Sequence, residues 1–317
     1  MKSLILKLCT AYVRIRYPVM QYEYRYFIRD NYYSRLRQYK YLLNDYVYKK
    51  KYKTIHYNGE FQIEITHVLP FAYWHYLNGT LKKTVSCKNT KELYFFSENH
   101  EEKYEERDWT FNYNTYDCPN MTHSITKSYA KWAQVPLKEH YKNDLFVYDK
   151  PILVIANKYN IEWNKQPVNF FSIDTLDKII NTYKSKYQII YNRPLSTHII
   201  NDNSEIMDLH EYPWLREQHP EVILMNDLYE QYRGTEVNNF NHLQLRVYAN
   251  CSHFVSVHGG GSALASYFGG TNIIFSTGWM EAIFNEYATY WPAFSGAKVL
   301  HAINEEQVLQ YLKENYA

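Results

Sequence analysis

From residue 151 onward, short apolar runs alternate with stretches of helical spacing, and this alternation narrows the fold more than any other feature of the chain. The runs are Ile152-Leu153-Val154-Ile155-Ala156, Tyr187-Gln188-Ile189-Ile190-Tyr191, Val222-Ile223-Leu224-Met225, His253-Phe254-Val255-Ser256-Val257, Asn272-Ile273-Ile274-Phe275 and Lys298-Val299-Leu300. Residues 174–183, 240–249, 263–268, 280–287 and 305–315 read as the helices between and after them. Strands buried on both faces appear as continuous apolar runs. Strands that alternate with helices build βαβ units in a doubly wound parallel sheet, so an α/β fold is expected.

The first half is less regular. Residues 53–57 read as a strand that reaches Asn58-Gly59-Glu60, and 61–77 as a partly helical course broken at Pro70. Residues 92–96 read as a further strand, with Ser97 able to cap a helix after it, and 109–140 as loop. A chain of 317 residues exceeds the size at which one hydrophobic core stops growing. Two domains are expected, 1–148 and 149–317.

The net charge of +2 lacks the global field of a nucleic-acid binder, so no nucleic-acid partner is expected. The beginning of the chain is nevertheless basic and aromatic: Lys2, Lys7, Arg14, Arg16, Arg25, Arg29, Arg35, Arg37, Lys40 and Lys49-Lys50-Lys51 are interleaved with Tyr, Leu and Ile. Such a segment either rests on anionic lipid headgroups as a peripheral membrane contact or forms a solvated arm packed loosely on its own domain. Cys9, Cys87, Cys118 and Cys251 lie far apart, which signals neither a disulfide framework nor a zinc site. No apolar stretch approaches the roughly eighteen residues a bilayer span needs, and Lys7 interrupts the short apolar run at the start. A cytoplasmic location is the expectation.

In open α/β sheets ligands bind outside the carboxyl ends of the strands. Asn157-Lys158, Asn192-Arg193, Asn226-Asp227 and the segment His258-Gly259-Gly260-Gly261-Ser262 each follow an expected strand, so one crevice is expected to gather them. The glycines let backbone approach an anion, and the helix expected after them aims free N–H groups at it. The motif is neither G-x-G-x-x-G nor G-x-x-x-x-G-K-[ST], so dinucleotide and P-loop folds are not supported. The plainer alternative is a glycine turn with His258 hydrogen-bonded inside it.

Across 221–276 the order of strand, Asn-Asp-Leu, helix, strand, His-Gly-Gly-Gly-Ser, small-residue helix and strand resembles the donor domain of GT-B glycosyltransferases, especially those with a His-Gly-Ala-Gly donor loop. Gly260 stands where that group has Ala, and Ser262-Ala263 departs from its usual continuation. The first half resembles the acceptor domain of polysaccharide transferases more loosely, through Gly59-Glu60-Phe61, 69–73 and 94–101. The resemblance implies two Rossmann-like domains facing a cleft. It also implies a nucleotide-diphosphate sugar donor, UDP- or GDP-linked, and a glycan or glycolipid acceptor, with the diphosphate held by His258, Gly259, Gly260, Gly261 and Ser262.

Such a transfer needs the departing diphosphate neutralised by a metal or by protein cations. No Asp-x-Asp is present, so a metal-independent enzyme is expected. Lys158 leads as the cation, with Arg193 second, and each is otherwise an ordinary loop charge. Asn157 shares that crevice. Asp227 and Leu228 are expected at the nucleoside, with Tyr229 able to stack; otherwise Asp227 is a turn residue. A base must take the acceptor proton. Glu60 leads because Gly59 before it permits a tight turn, and His67, His100 and Glu101 compete with it. Each of the four also has a purely structural reading. Glu281 and Glu286 are five apart rather than at the spacing of one large retaining class, so inversion is expected. The rivals are a pyruvyl transferase or epimerase on the same architecture, and a non-catalytic carbohydrate-binding or membrane-associated assembly protein.

Overall fold

The computed structural model describes residues 2–108, 117–162, 166–200 and 204–316. β1 (Lys53–His56), β2 (Leu81–Cys87) and β3 (His100–Tyr104) form a parallel sheet in that order. The second half contributes β4 (Ile152–Ala156), β5 (Asn160–Glu162), β6 (Gln188–Asn192), β7 (Ser204–Ile206), β8 (Ile223–Leu224), β9 (His253–Val257), β10 (Thr271–Phe275) and β11 (Lys298–Ala302). Six of these make one parallel sheet in the order β11-β10-β9-β4-β6-β8, while β5 and β7 pair antiparallel in a ribbon of their own. The molecule is an α/β protein with parallel sheets.

β4 shows why its sequence has no polar position. All five of its residues are buried. Leu153 and Ile155 point to one face, among Leu176, Ile179 and Ile180 of helix Ile173–Tyr183 and Val308 and Leu312 of helix Glu305–Tyr316. Ile152, Val154 and Ala156 point to the other, among Leu243 and Val247 of helix Phe240–Ala249. Burying each large apolar side chain contributes about 1.5–3 kcal/mol, and both faces of the strand collect it. The second of these cores also contains Ile55, Leu69, Phe71, Tyr94 and Phe146. One hydrophobic cluster therefore runs across residue 148.

The first half departs from expectation in three places. β2 was not anticipated, because Leu81-Lys82-Lys83-Thr84-Val85-Ser86-Cys87 mixes charge into its first turn of pleat while its later residues are buried between neighbours. Residues 92–96 form successive turns instead of a strand, with Leu93, Tyr94 and Ser97 donating backwards to Thr90, Lys91 and Tyr94. The Glu92 carboxylate accepts from Asn238 and Asn239 at 2.9 and 2.7 Å, and these tertiary bonds override local β propensity. No helix follows Ser97. His100–Tyr104 is an edge strand whose outward charges suit an unpaired sheet border. Of the stretch expected as loop, 109–116 lies outside the described residues, and from 117 onward it is irregular apart from helix Leu137–Tyr141.

Pro70 does not break its helix. A turn of π-helix, Glu64–Val68, joins Phe61–Ile63 to Leu69–Leu77. Proline has no amide to offer the carbonyl four residues back, which is that of Thr66. The Tyr290 hydroxyl donates to that carbonyl at 2.7 Å, and the Tyr267 hydroxyl donates to the neighbouring Ile65 carbonyl at 2.7 Å. The second half thus completes the backbone bonding of the first.

The basic arm is two helices, Lys2–Arg16 and Tyr22–Gln38. The second is not loosely packed. Asn31 donates to the Thr122 carbonyl at 3.2 Å, Thr122 to the Phe27 carbonyl at 2.8 Å, and Gln38 to the Asp117 carbonyl at 3.1 Å. Val13 and Ile28 share a small core with Phe284.

Candidate functional site

The strand order reverses at β4. From there the chain runs outward through β6 and β8, then returns to β4's other side and continues through β9, β10 and β11. Such a switch point leaves a crevice at the carboxyl ends of the two diverging strands. A cleft of about 390 Å³ occupies it, with Asn157, Lys158, Asn192, His258, Gly259, Gly260 and Gly261 on the sheet side. Glu60, Phe61, Gln62 and Ile63 form the facing wall, with Lys88, Arg107 and His123 also contributing.

The three glycines have three different physical reasons. Gly259 has φ +136, a conformation costly to any side chain, and its missing Cβ would lie 3.7 Å from Lys158 Nζ. A Cβ on Gly260 would meet the Phe61 ring at 2.6 Å, so the two walls touch there. Around Gly261 nothing lies within 4 Å of that position, which leaves room beside the cleft. The helix begins at Gly260 rather than after the glycines, and it is only six residues long. Ser262 does not face the cleft. Its Oγ donates to the Gly259 carbonyl at 2.8 Å, and its own carbonyl accepts from Asn272.

His258 is part of the cleft floor, hydrogen-bonded through Nδ1 to the Tyr287 hydroxyl across 2.7 Å and stacked on Trp279. Burial pushes its pKa down to about 4, against the pull of Glu281, so the imidazole is neutral at pH 7. Glu281, itself buried, holds a carboxylate oxygen 3.8 Å from Nε2 and accepts from Gln62 of the opposite wall. Lys158 Nζ pairs with Glu162 at 2.7 Å, and its amide bonds the Asn157 side chain at 2.9 Å. Asn157 is a clamp, donating to the Phe171 carbonyl and the Tyr191 hydroxyl at 3.1 Å each.

Several residues expected in the crevice are elsewhere. Arg193 is buried and forked onto Glu211, with Nη2 to Oε2 at 3.1 Å and a further bond to the Met207 carbonyl; Pro194 takes the rim instead. Asp227 lies in helix Met225–Tyr232, because the strand before it has only two residues, and it pairs with exposed Arg216 at 2.7 Å. Leu228 is in the core and Tyr229 packs against His198 and Phe240.

Among the four candidate bases only Glu60 lines the cleft. The chain bends at Gly59 before it, but with ordinary φ, so the bend does not draw on glycine's backbone freedom. A side chain on Gly59 would strike the Tyr57 hydroxyl at 2.5 Å, and that hydroxyl donates to the Glu60 carbonyl. His67 is buried under Tyr290, where burial holds it well below its ordinary pKa. His100 bonds Thr84 at 2.8 Å on the edge strand, and burial lowers its pKa as well. Glu101 is an exposed partner of Lys83.

Gln62, Arg107, His123 and Trp279 were not anticipated, and Glu281 was weighed only for its spacing from Glu286. Arg107 is buried, donating to the Gly59 carbonyl at 2.7 Å and to Glu64 at 2.8 Å; burial opposes its charge, and Glu64 more than restores it. His123 lies against Glu286, which raises its pKa above the ordinary value despite burial. Glu286 is held below the carboxylate range, burial being outweighed by Lys127 and His123. Only Gly278-Trp279 offered a local signal, a glycine before an aromatic at the end of a strand segment. Among the described residues no cluster of three or more His, Cys, Asp or Glu is arranged to hold a metal. No family model, curated protein or solved structure matches this chain.

Proposed function

We propose that the protein transfers a sugar from a nucleotide-diphosphate donor to a hydroxyl of a glycan or glycolipid, on a GT-B-like arrangement, with inversion and without a metal. The observation that carries this reading is the cleft at the switch point between β4 and β9, walled by Lys158 and Gly259 to Gly261 on one side and by Glu60 to Ile63 on the other. In it, Lys158 leaves Glu162 for the diphosphate, and the space beside Gly261 admits the phosphates close to backbone. The six-residue helix adds little dipole, so Lys158 does most of the neutralising. Glu60 takes the acceptor hydroxyl proton as that oxygen bonds the anomeric carbon; the bond from that carbon to the diphosphate oxygen breaks, and the nucleoside diphosphate leaves with the electron pair. The apolar rim at Pro194, Ile199 and Ile200 is the surface for the base.

Thermal shift with UDP, GDP and their sugars, with and without EDTA, tests the reading. One nucleoside diphosphate is expected to stabilise the chain regardless of chelator, and Lys158→Met to lose that stabilisation while melting normally alone. Donor turnover is expected to need an acceptor and to fall about 10²- to 10⁴-fold in Glu60→Gln. Silence with every nucleotide would overturn the proposal. Binding without turnover would support a non-catalytic module, and acceptor-independent loss of the donor an epimerase.

A further inference from the structure

The first helix is apolar on two faces, and only one is covered. Val13 is buried with Ile28 and Phe284, and Cys9 is buried one turn before it. Leu4, Leu8, Tyr12 and Ile15 recur at the spacing that stacks side chains along one helix face, and all are exposed, Ile15 at 82%. Val19, just beyond the helix, is 98% exposed. Exposed Lys7, Arg14 and Arg16 border this stripe.

We propose that this face lies on an anionic lipid bilayer, with the aliphatic stripe at the acyl boundary and the three cations on headgroup phosphates. Charge complementarity selects that occupant. Residues 2–51 hold twelve of the chain's 35 Lys and Arg but three of its 33 Asp and Glu, leaving 23 against 30 elsewhere. The positive charge is therefore concentrated where the apolar surface is, and each cation near an anionic surface strengthens partition. Tyr22, with Arg14 5.9 Å from its ring centroid, supplies an aromatic of the kind that settles at headgroup level. A second exposed cluster, Leu43, Val47 and Tyr48, runs into Lys49-Lys50-Lys51 and repeats the same chemistry. A second copy of the chain fits less well, because pairing the stripe with itself sets Lys7, Arg14 and Arg16 against their own images. Among the described residues no helix is long and apolar enough to cross a membrane, so the fifteen-residue helix lies in the interface plane.

The test is co-sedimentation of the full chain with vesicles of phosphatidylcholine alone or mixed with phosphatidylserine, at low and high salt. Binding is expected only to the mixed vesicles and to weaken with salt. Leu8→Glu/Ile15→Glu and Lys7→Glu/Arg14→Glu are each expected to weaken it by more than about tenfold. The substituted side chains are on the surface, and an unchanged melting temperature confirms that each variant is folded. Equal binding to both vesicle types, no binding to the mixed ones, or variants that bind like the parent overturns the proposal. So does a dimer in gel filtration that Ile15→Glu dissociates, which would make the stripe a contact between copies. None of these outcomes depends on nucleotide binding, so the proposal stands or falls apart from the transferase reading.

Discussion

The two walls of the cleft are built on different principles. The sheet-side wall is mostly backbone at the ends of β4, β6 and β9, with Lys158 reaching out of it, and the side chains behind it bond to the scaffold: Asn157 to Phe171 and Tyr191, the Asn192 amide nitrogen to Gln244 and Tyr248, Arg193 to Glu211. The facing wall is one helical segment that carries its own side chains into the cleft. It is held from outside, by the Tyr267 and Tyr290 hydroxyls on its carbonyls and by Arg107 on Gly59. The sheet-side wall therefore offers the cleft fixed backbone and the side-chain cation Lys158, whereas the facing wall offers side chains carried on a helix.

That contrast predicts a graded series of effects. Arg193→Ala leaves Glu211 charged and buried, which costs about 3–5 kcal/mol. Urea unfolding is expected to show this loss, with any nucleotide shift retained in the protein that stays folded. If Arg193→Ala were stable but no longer responded to nucleotide, the distinction between scaffold and ligand-facing cations would collapse. Tyr290→Phe removes the hydroxyl that braces the facing wall at the Thr66 carbonyl and also meets His67 and the Trp132 indole, and costs about 1–3 kcal/mol. Its expected signature is a lower turnover with nucleotide binding unchanged, because it loosens only the side carrying Glu60. Equal losses in binding and turnover would show the two walls to be mechanically one.

The smallest effect is the pH dependence of the His123–Glu286 contact. His123 has a raised pKa in the folded state, so its contribution is complete below 6.5 and declines as pH rises through the folded value. Glu286 has a lowered one, so its contribution is complete above 4.5 and declines as pH falls. Between those limits both contribute. The difference in melting temperature between the parent and His123→Asn is expected to be largest there and to shrink above pH 6.5. A difference independent of pH would mean that His123 acts by packing on Phe27 and Phe284 alone.

Residues buried on both sheet faces announce themselves in sequence, which is why β4 and β9 were legible to their end residues and the crevice could be placed at Lys158 and His258. Where structure depends on partners distant in the chain, sequence is silent. β2 hides half its burial behind Lys82 and Lys83, and 92–96 are bent by the two asparagines that precede a helix almost 150 positions away. A residue's place after a strand also does not say which way its side chain turns. Lys158 stands two residues beyond β4 and Arg193 one beyond β6, and while the first reaches the cleft the second is drawn back by Glu211. His123 lies in an irregular segment with no period to read.

The contact of Phe61 with Gly260 gives the cleft a fixed point. Since the ring already occupies the space that one extra carbon at 260 would need, the walls cannot come closer at that point, and separating them in parallel would forfeit it. Ring and backbone thus set the spacing of the walls at the glycine end of the cleft, and a side chain at 260 would widen it there only by displacing Phe61.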